Sequence, residues 1–461
     1  MKRVFNVTEG PILKKMLLLA LPILLTTLSQ IAYNLTDIFW IGRVDEIGYV
    51  ETYAVSAIGT VSYLTWFSFG FILIAKIGTS VKVSHAVGNN KLEKVNVYGA
   101  NGILLETFFG IITAVAILLF QRQFLSIFNI DTPEIIDYAL DYIPIIGGFI
   151  FIQFIVNGFV AVNEGLGQTK INLMVLAVGF IFNMIVDPLF ILVFKMGIQG
   201  AAIATVSAQF ITLVTFIIIY KKHNPNLKIF NLKNFNFQAM KEILSIGLPV
   251  GVQSMLFTVI SIYIGRVVFS FGANVVSGQR IGVQIEQLTW MISGGFQSAI
   301  TVFVGQNFGA KTYSRIKRSL FDISAILIPY ALVITMLLLF IPETLLRIFI
   351  DDDQAVEAGV NYLKIISISQ VFMIVEGIGT GFFNGIGKSF IPSIVGIVGN
   401  TSRIPLVIWL TDLYQEKGIW WSLNFSTVFK AFLIIIFFIF FIRNLNEMRL
   451  NRLTFKKKVR V

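Results

Sequence analysis

The sequence predicts an all-α polytopic membrane protein of twelve transmembrane helices, arranged as two six-helix lobes related by a parallel pseudo-two-fold repeat. Three observations predict it. The 461 residues are 56% hydrophobic and only 13% charged, against about 25% charge in a soluble domain, and the mean hydropathy is +0.81. Long apolar segments recur along the whole chain. Short landmarks of the first half return in the same order in the second.

One membrane span with its loop takes roughly 35 to 40 residues, so the length suggests about twelve spans. Twelve apolar segments are present, at about 12–40, 52–80, 96–120, 137–162, 170–194, 198–220, 241–270, 273–303, 319–342, 356–384, 389–411 and 418–442. The first run is too long for a signal-peptide core and lacks a small-residue cleavage site, so it is expected to remain as span one. Residues 221–240 form the one long polar connection in the middle of the chain, with six spans on each side. The expected division is an N-lobe at 1–221, a cytoplasmic connecting loop at 222–240, a C-lobe at 241–442 and a basic cytoplasmic tail at 443–461.

Span one carries Leu21-Pro22, matched by Leu248-Pro249 in span seven. Val87-Gly88-Asn89-Asn90, closing span two, is set against Val304-Gly305-Gln306-Asn307, closing span eight. Gly165-Leu166-Gly167 after span four matches Gly385-Ile386-Gly387 after span ten. Asn183 and Pro188-Leu189 of span five match Asn400 and Pro405-Leu406 of span eleven. Six spans per half return the chain to the side it started from, so the halves are parallel repeats with a substrate cleft expected between them near the midplane.

The net charge of +11 becomes a topology signal once it is placed, because Lys/Arg-rich loops stay cytoplasmic. One side collects 26 Lys and Arg, among them Lys76, Lys82 and the run from Arg443 to Arg460, against six on the other, which also holds Asp131, Glu134, Asp137 and Asp351-Asp352-Asp353. Both termini are therefore expected in the cytoplasm, and the basic tail is read as an anchor near anionic lipid rather than a nucleic-acid patch. Zero cysteines exclude disulfides and thiolate sites, and two histidines argue against a His-rich metal centre. Gly385-Ile386-Gly387-Lys388-Ser389 lacks the earlier glycine of a phosphate loop. No nucleophile–histidine set lies within the spans, so no catalytic residue, enzyme activity or cofactor is expected.

A charge near the bilayer centre costs about 3 kcal/mol and needs a partner, a watery cavity or a function. Span one places Gln30, Tyr33, Asn34 and Asp37 at spacings of three and four, an interior-facing polar stripe. Span five adds Asn183 and Asp187 one turn apart, span four Asn157, and span six Thr205 and Ser207. Two carboxylates with amide and hydroxyl oxygens suit a hard cation such as Na+, or share a proton, or serve only as interhelical hydrogen-bond partners. Glu106 of span three has no polar companion on its face and receives no assignment. The second half offers Arg280, Glu286, Lys364, Glu376, Arg403 and Lys430. Glu286 is expected to pair with Arg280, while Lys430 either answers Glu376 or lines the cleft.

At Thr8-Glu9-Gly10-Pro11 with Leu21-Pro22, at Val304-Gly305-Gln306-Asn307 with Gly309-Ala310, and at Asn183 with Asp187-Pro188, the chain resembles the multidrug and toxic compound extrusion (MATE) family of secondary transporters. The resemblance spans about 12–442. It implies an antiporter that exports cationic amphipathic compounds in exchange for H+ or Na+ by alternating access. It maps a cation-coupling site onto Asp37, Asn183, Asp187 and Thr205, where Na+ would also bind, with Tyr33 and Asn157 nearby. Pro22, about 22 Å along the helix from Asp37, then becomes a hinge that converts protonation into bending. One branch of the family places an acid two turns after the span-seven proline to bind Na+; Phe257 stands there, so no such C-lobe sodium site is expected. A possible C-lobe polar site comprises Glu286, Glu376, Lys430 and Arg280. The expected setting is the plasma membrane, as a monomer whose partners are small cationic molecules and lipid, not nucleic acid. The alternatives are a flippase for lipid-linked saccharides, from the same superfamily, and a membrane receptor or channel.

Overall fold

The computed structural model describes residues 5–48, 50–128, 130, 132–223 and 234–458. Lys2, Arg3, Asp131, most of the connection expected at 222–240, and the side chains of the basic tail 443–461 lie outside the described residues. Apolar runs with no lasting interruption become helices: α1 (Ile12–Ile41), α2 (Glu51–Gly88), α3 (Leu92–Ser126), α4 (Pro133–Gly148), α5 (Ile150–Gly165), α6 (Thr169–Pro188), α7 (Gly197–His223), α8 (Phe237–Phe269), α9 (Ala273–Gly309), α10 (Tyr313–Phe340), α11 (Pro342–Arg347), α12 (Asp353–Ser367), α13 (Gln370–Gly385), α14 (Phe390–Thr401), α15 (Arg403–Tyr414) and α16 (Glu416–Lys458). Among the described residues ten spans are long and apolar enough to cross a membrane unaided, and two bent pairs, α4–α5 and α12–α13, bring the number to twelve when each pair is taken as one span. The chain is a multi-pass helical membrane protein.

Each bend has a local cause. Between α4 and α5 the axis turns by 43° just after Pro144, which supplies no backbone donor, and Gly147-Gly148. Between α12 and α13 it turns by 50°. Here the hydroxyls of Ser367 and Ser369 donate to the carbonyls of Lys364 and Ile366, and the Ser367 carbonyl is taken by the Thr335 hydroxyl of α10 at 3.0 Å.

The described chain forms two compact units, one of residues 5–6 and 18–255, the other of 7–17 and 256–458. The boundary falls within α8, not in the polar connection. The first half of α8 joins the first unit because glycines remove side chains where it crosses α2: Gly247 lies on the Ile74 carbonyl and Gly78 on that of Ile243. Glu242 of α8 adds a 2.8 Å ion pair with Lys82 and accepts from the Tyr98 hydroxyl at 2.6 Å. In the second unit, the backbone of Val7 is held by Gln306, which accepts from its N–H at 3.2 Å, and by Arg315, which donates to its carbonyl at 3.1 Å.

The repeat is visible in matched packing. In the first unit Gly165 closes α5 against α2, so that a Cβ there would lie 2.6 Å from Val83 Cβ and 2.8 Å from the Ser80 carbonyl oxygen. In the second, Gly385 closes α13 against α9, 2.7 Å from Val304 Cβ and 2.8 Å from the Thr301 oxygen. Gly167 and Gly387 both take left-handed φ, +73° and +77°. Their N–H groups donate at 2.8 Å to the carbonyls of Glu164 and Asn384.

These contacts correct the register of one landmark. Val304 is the counterpart of Val83, not of Val87. The left-handed residues that end the two turns are likewise Asn90 (φ 56°) and Lys311 (φ 59°). The pairing of Val87-Gly88-Asn89-Asn90 with Val304-Gly305-Gln306-Asn307 is therefore one helical turn out. Residues four apart share a face, which lets a short motif slip by a turn without losing its apolar match.

Candidate functional site

In the first unit, α1 presents Tyr33 and Asp37 one turn apart, α6 presents Asn183 and Asp187 at the same spacing, and α7 supplies Thr205. The Asn183 amide donates to Asp187 Oδ1 at 3.1 Å. The Tyr33 hydroxyl lies 3.3 Å from Thr205 Oγ1, and its ring stacks on Phe180 at a centroid distance of 5.4 Å. The carboxyls of Asp37 and Asp187 are close enough to interact electrostatically, and the Tyr33 hydroxyl lies near Asp37. Asn183 and Asp187 are fully buried. Asp37 Oδ1, Asn183 Oδ1 and Asp187 Oδ2 are buried without a hydrogen-bond donor among the described residues.

The local backbone explains how the acids converge. Pro188 ends the regular part of α6, and the chain continues as a π-helical turn, Leu189–Val193. α1 runs unbroken through Pro22, and the carbonyls around it are occupied by hydroxyls of the next turn: Thr26 on Pro22 at 2.8 Å, Thr27 on Ile23 at 3.1 Å and Ser29 on Leu25 at 2.8 Å. Such back-bonding loosens a helix where proline has already removed one donor.

The expected polar stripe of span one is only half interior. Tyr33 and Asp37 are partly buried, but Gln30 and Asn34 are exposed. At about 100° per residue the four cover an arc of about 100°, and the neighbouring helices cover one edge of it. Asn157 is partly buried, and its amide donates to the Gln153 carbonyl of its own helix at 3.0 Å. The sequence reading missed Tyr142 of α4, which is close enough to Asp37 and Asp187 to interact electrostatically with both. Tyr138 and Tyr142, a turn apart in an apolar span, were the available signal.

In the second unit, Glu286 of α9 accepts from the Tyr362 hydroxyl, from Trp290 Nε1 at 2.9 Å and from Gln370 Nε2 at 3.3 Å. The expected Glu286–Arg280 pair does not form. Six residues turn a helix by about 600°, which leaves the two side chains about 120° apart around the axis; Arg280 is exposed, with its guanidinium 5.9 Å from the centroid of the Phe269 ring. Lys430 is 3.0 Å from Glu376, the first of the two alternatives left for it. Arg403 donates to Ser426 Oγ at 2.7 Å and lies over the Phe257 ring at 5.8 Å. The position where an acid would be needed for a C-lobe sodium site thus holds an aromatic face beneath a cation. Lys364 is exposed, so the basic residues of this half do not gather into one cluster. Among the described residues no group of three or more His, Cys, Asp or Glu side chains is arranged to hold a metal.

A duplicated bundle of twelve spans, with two facing carboxyls buried in one unit, defines a multi-pass membrane protein of the transporter type. The chain belongs to the MatE family, whose model matches residues 22–189 and 249–409; the two stretches open on Pro22 and Pro249, the first pair of the repeat. It is 24% identical over 437 residues to the probable multidrug resistance protein NorM of Thermotoga maritima, covering 92% of each chain. It is 25% identical over 451 residues to the multidrug export protein MepA of Staphylococcus haemolyticus, covering 96% of each. Its fold is that of a solved structure described as MATE in the bent conformation, with a TM-score of 0.88 and 18% identity over 97% of this chain and 99% of the other. A MOP superfamily transporter from Pyrococcus furiosus has a TM-score of 0.86, at 18% identity over 96% and 99%.

Proposed function

We propose that this protein is a secondary active antiporter of the plasma membrane, with both termini cytoplasmic, that exports cationic amphipathic compounds in exchange for H+ or Na+ by alternating access. The observation that carries the reading is the Asp37–Asp187 pair. Two neighbouring carboxyls inside an apolar bundle repel unless a proton or a cation is shared between them. The three donor-less oxygens of Asp37, Asn183 and Asp187, with the Tyr33 and Thr205 hydroxyls alongside, form an all-oxygen lining suited to either occupant. Tyr33 and Asp37 come from α1, and the other groups from α6 and α7. Occupancy therefore changes the energy of α1 against its neighbours, and Pro22 gives α1 a place to bend.

Coupling follows if the cation binds one conformation more tightly than the other; without that difference it shifts nothing. The relatives named for multidrug resistance and export support the substrate class. A lipid-linked saccharide flippase is less well supported, because the basic residues of the second half are paired or dispersed. The test is ethidium efflux from vesicles with pH and Na+ gradients imposed separately. Asp37→Asn is expected to abolish gradient-driven efflux while the protein still inserts and folds; undiminished efflux in that variant sinks the assignment.

A further inference from the structure

Glu106 received no role from the sequence, and its surroundings in the first unit supply one. It is 0% exposed, and neither carboxyl oxygen has a hydrogen-bond partner among the described residues. It lies about 21 Å into α3 at 1.5 Å per residue, well inside a membrane span. Gly158 of α5 leaves it room: a Cβ there would stand 3.4 Å from Glu106 Cγ. An ionised carboxylate with no donor is costly in such a place.

Gly102 of α3 packs directly on Thr79 of α2, and one turn further along this helix pair Glu106 reaches the level of Lys76 of α2, the charge that acts on it. The sequence reading placed Lys76 among the loop charges, but the structure places it about 18 Å before the end of α2, at nearly the same depth as Glu106. The same ammonium acts on Glu164, a buried acid next to the last residue of α5. Glu93, Lys94 and Arg122 of α3 are exposed, and His85 lies about 14 Å beyond Lys76 along α2. Lys82 of α2 and Glu242 of α8 are paired with each other, and Glu134, Asp137 and Asp141 of α4 are exposed. The Asp37–Asp187 pair lies toward the opposite end of the unit, near the ends of α1 and α6.

We propose that Glu106 is a second proton-binding acid of the first unit, working against the Lys76 ammonium and linked through it to Glu164 at the end of α5. With its proton, Glu106 is a neutral acid beside a cation. When the O–H bond breaks, the proton passes to bulk water and leaves a carboxylate attracted by the Lys76 ammonium. Protonation therefore switches an electrostatic attraction between α2 and α3 on and off. Its part in transport rests on the antiport reading; the proton site itself does not.

The test is an infrared pH titration of the full-length protein in lipid. A carboxylic-acid C=O band is expected in the wild type, lost in Glu106→Gln, and kept in Glu106→Asp and in Asp37→Asn. Lys76→Met is expected to move the midpoint of that band. Superimposable spectra for wild type and Glu106→Gln overturn the proposal, since Glu106 would then be permanently ionised in a static pair. For transport, Glu106→Gln should lose accumulation of ethidium driven by a pH gradient yet retain ethidium exchange without a gradient; intact gradient-driven accumulation rejects the transport role. If the wild type shows the band but neither a pH nor a Na+ gradient drives transport, the antiport reading fails and the proton site stands.

Discussion

Lys430 shows what a single charge inside a membrane span requires. Its ammonium is nine-tenths buried and has Glu376 at 3.0 Å as its ion-pair partner, so removing one member leaves the other uncompensated. Lys430→Met is expected to destabilise the protein by about 3–5 kcal/mol, and Lys430→Met with Glu376→Gln to recover most of it, because the pair's own net worth is small. Thermal unfolding in detergent checks this; a double variant no more stable than the single one argues against the pair. At this scale the sequence was legible where charge was scarce. Asp37 and Asp187 stood out because almost nothing else ionisable shares their spans, and the structure brings them together. Arg280 misled because a separation of six along a helix was treated as proximity. Tyr142 went unseen because a tyrosine in an apolar span is ordinary until its neighbours are known.

The elements repeat in their contacts more faithfully than in their letters. The Gly165–Val83 and Gly385–Val304 approaches have nearly the same geometry in the two units, although few of the surrounding residues match. A methyl group at either position meets a branched side chain and a carbonyl oxygen, neither of which can retreat within a packed helix pair. Gly165→Ala and Gly385→Ala are therefore each expected to cost about 1–3 kcal/mol, read as a lowered unfolding temperature. A large loss at one position with none at the other denies the equivalence. Spans and repeat order were legible because hydropathy and glycine–proline punctuation survive divergence. The two bends were not, since the second depends on serine hydroxyls and on Thr335 from another helix. The one-turn slip at Val304 arose because a four-residue motif on a helix resembles itself one turn away.

Across the whole molecule the two units are alike in packing and unlike in chemistry. Among the described residues, the carboxyl oxygens buried without a hydrogen-bond partner belong to Asp37, Glu106 and Asp187, all in the first unit. The two acids inside the spans α9 and α13 of the second unit are engaged: Glu286 by Tyr362, Trp290 and Gln370, and Glu376 by Lys430. A satisfied carboxylate gains nothing by taking up a cation, whereas a donor-less one does. Ion dependence should therefore reside in the first unit alone. Glu286→Gln preserves the shape of its site, with one acceptor replaced by an amide. It is expected to lower thermal stability while leaving the ratio of pH-driven to Na+-driven ethidium efflux unchanged, whereas Asp37→Asn and Asp187→Asn remove the response to whichever ion drives the wild type. Measuring both gradients on all three variants decides it, and a changed ion ratio in Glu286→Gln would mean that the second unit also carries a coupling site.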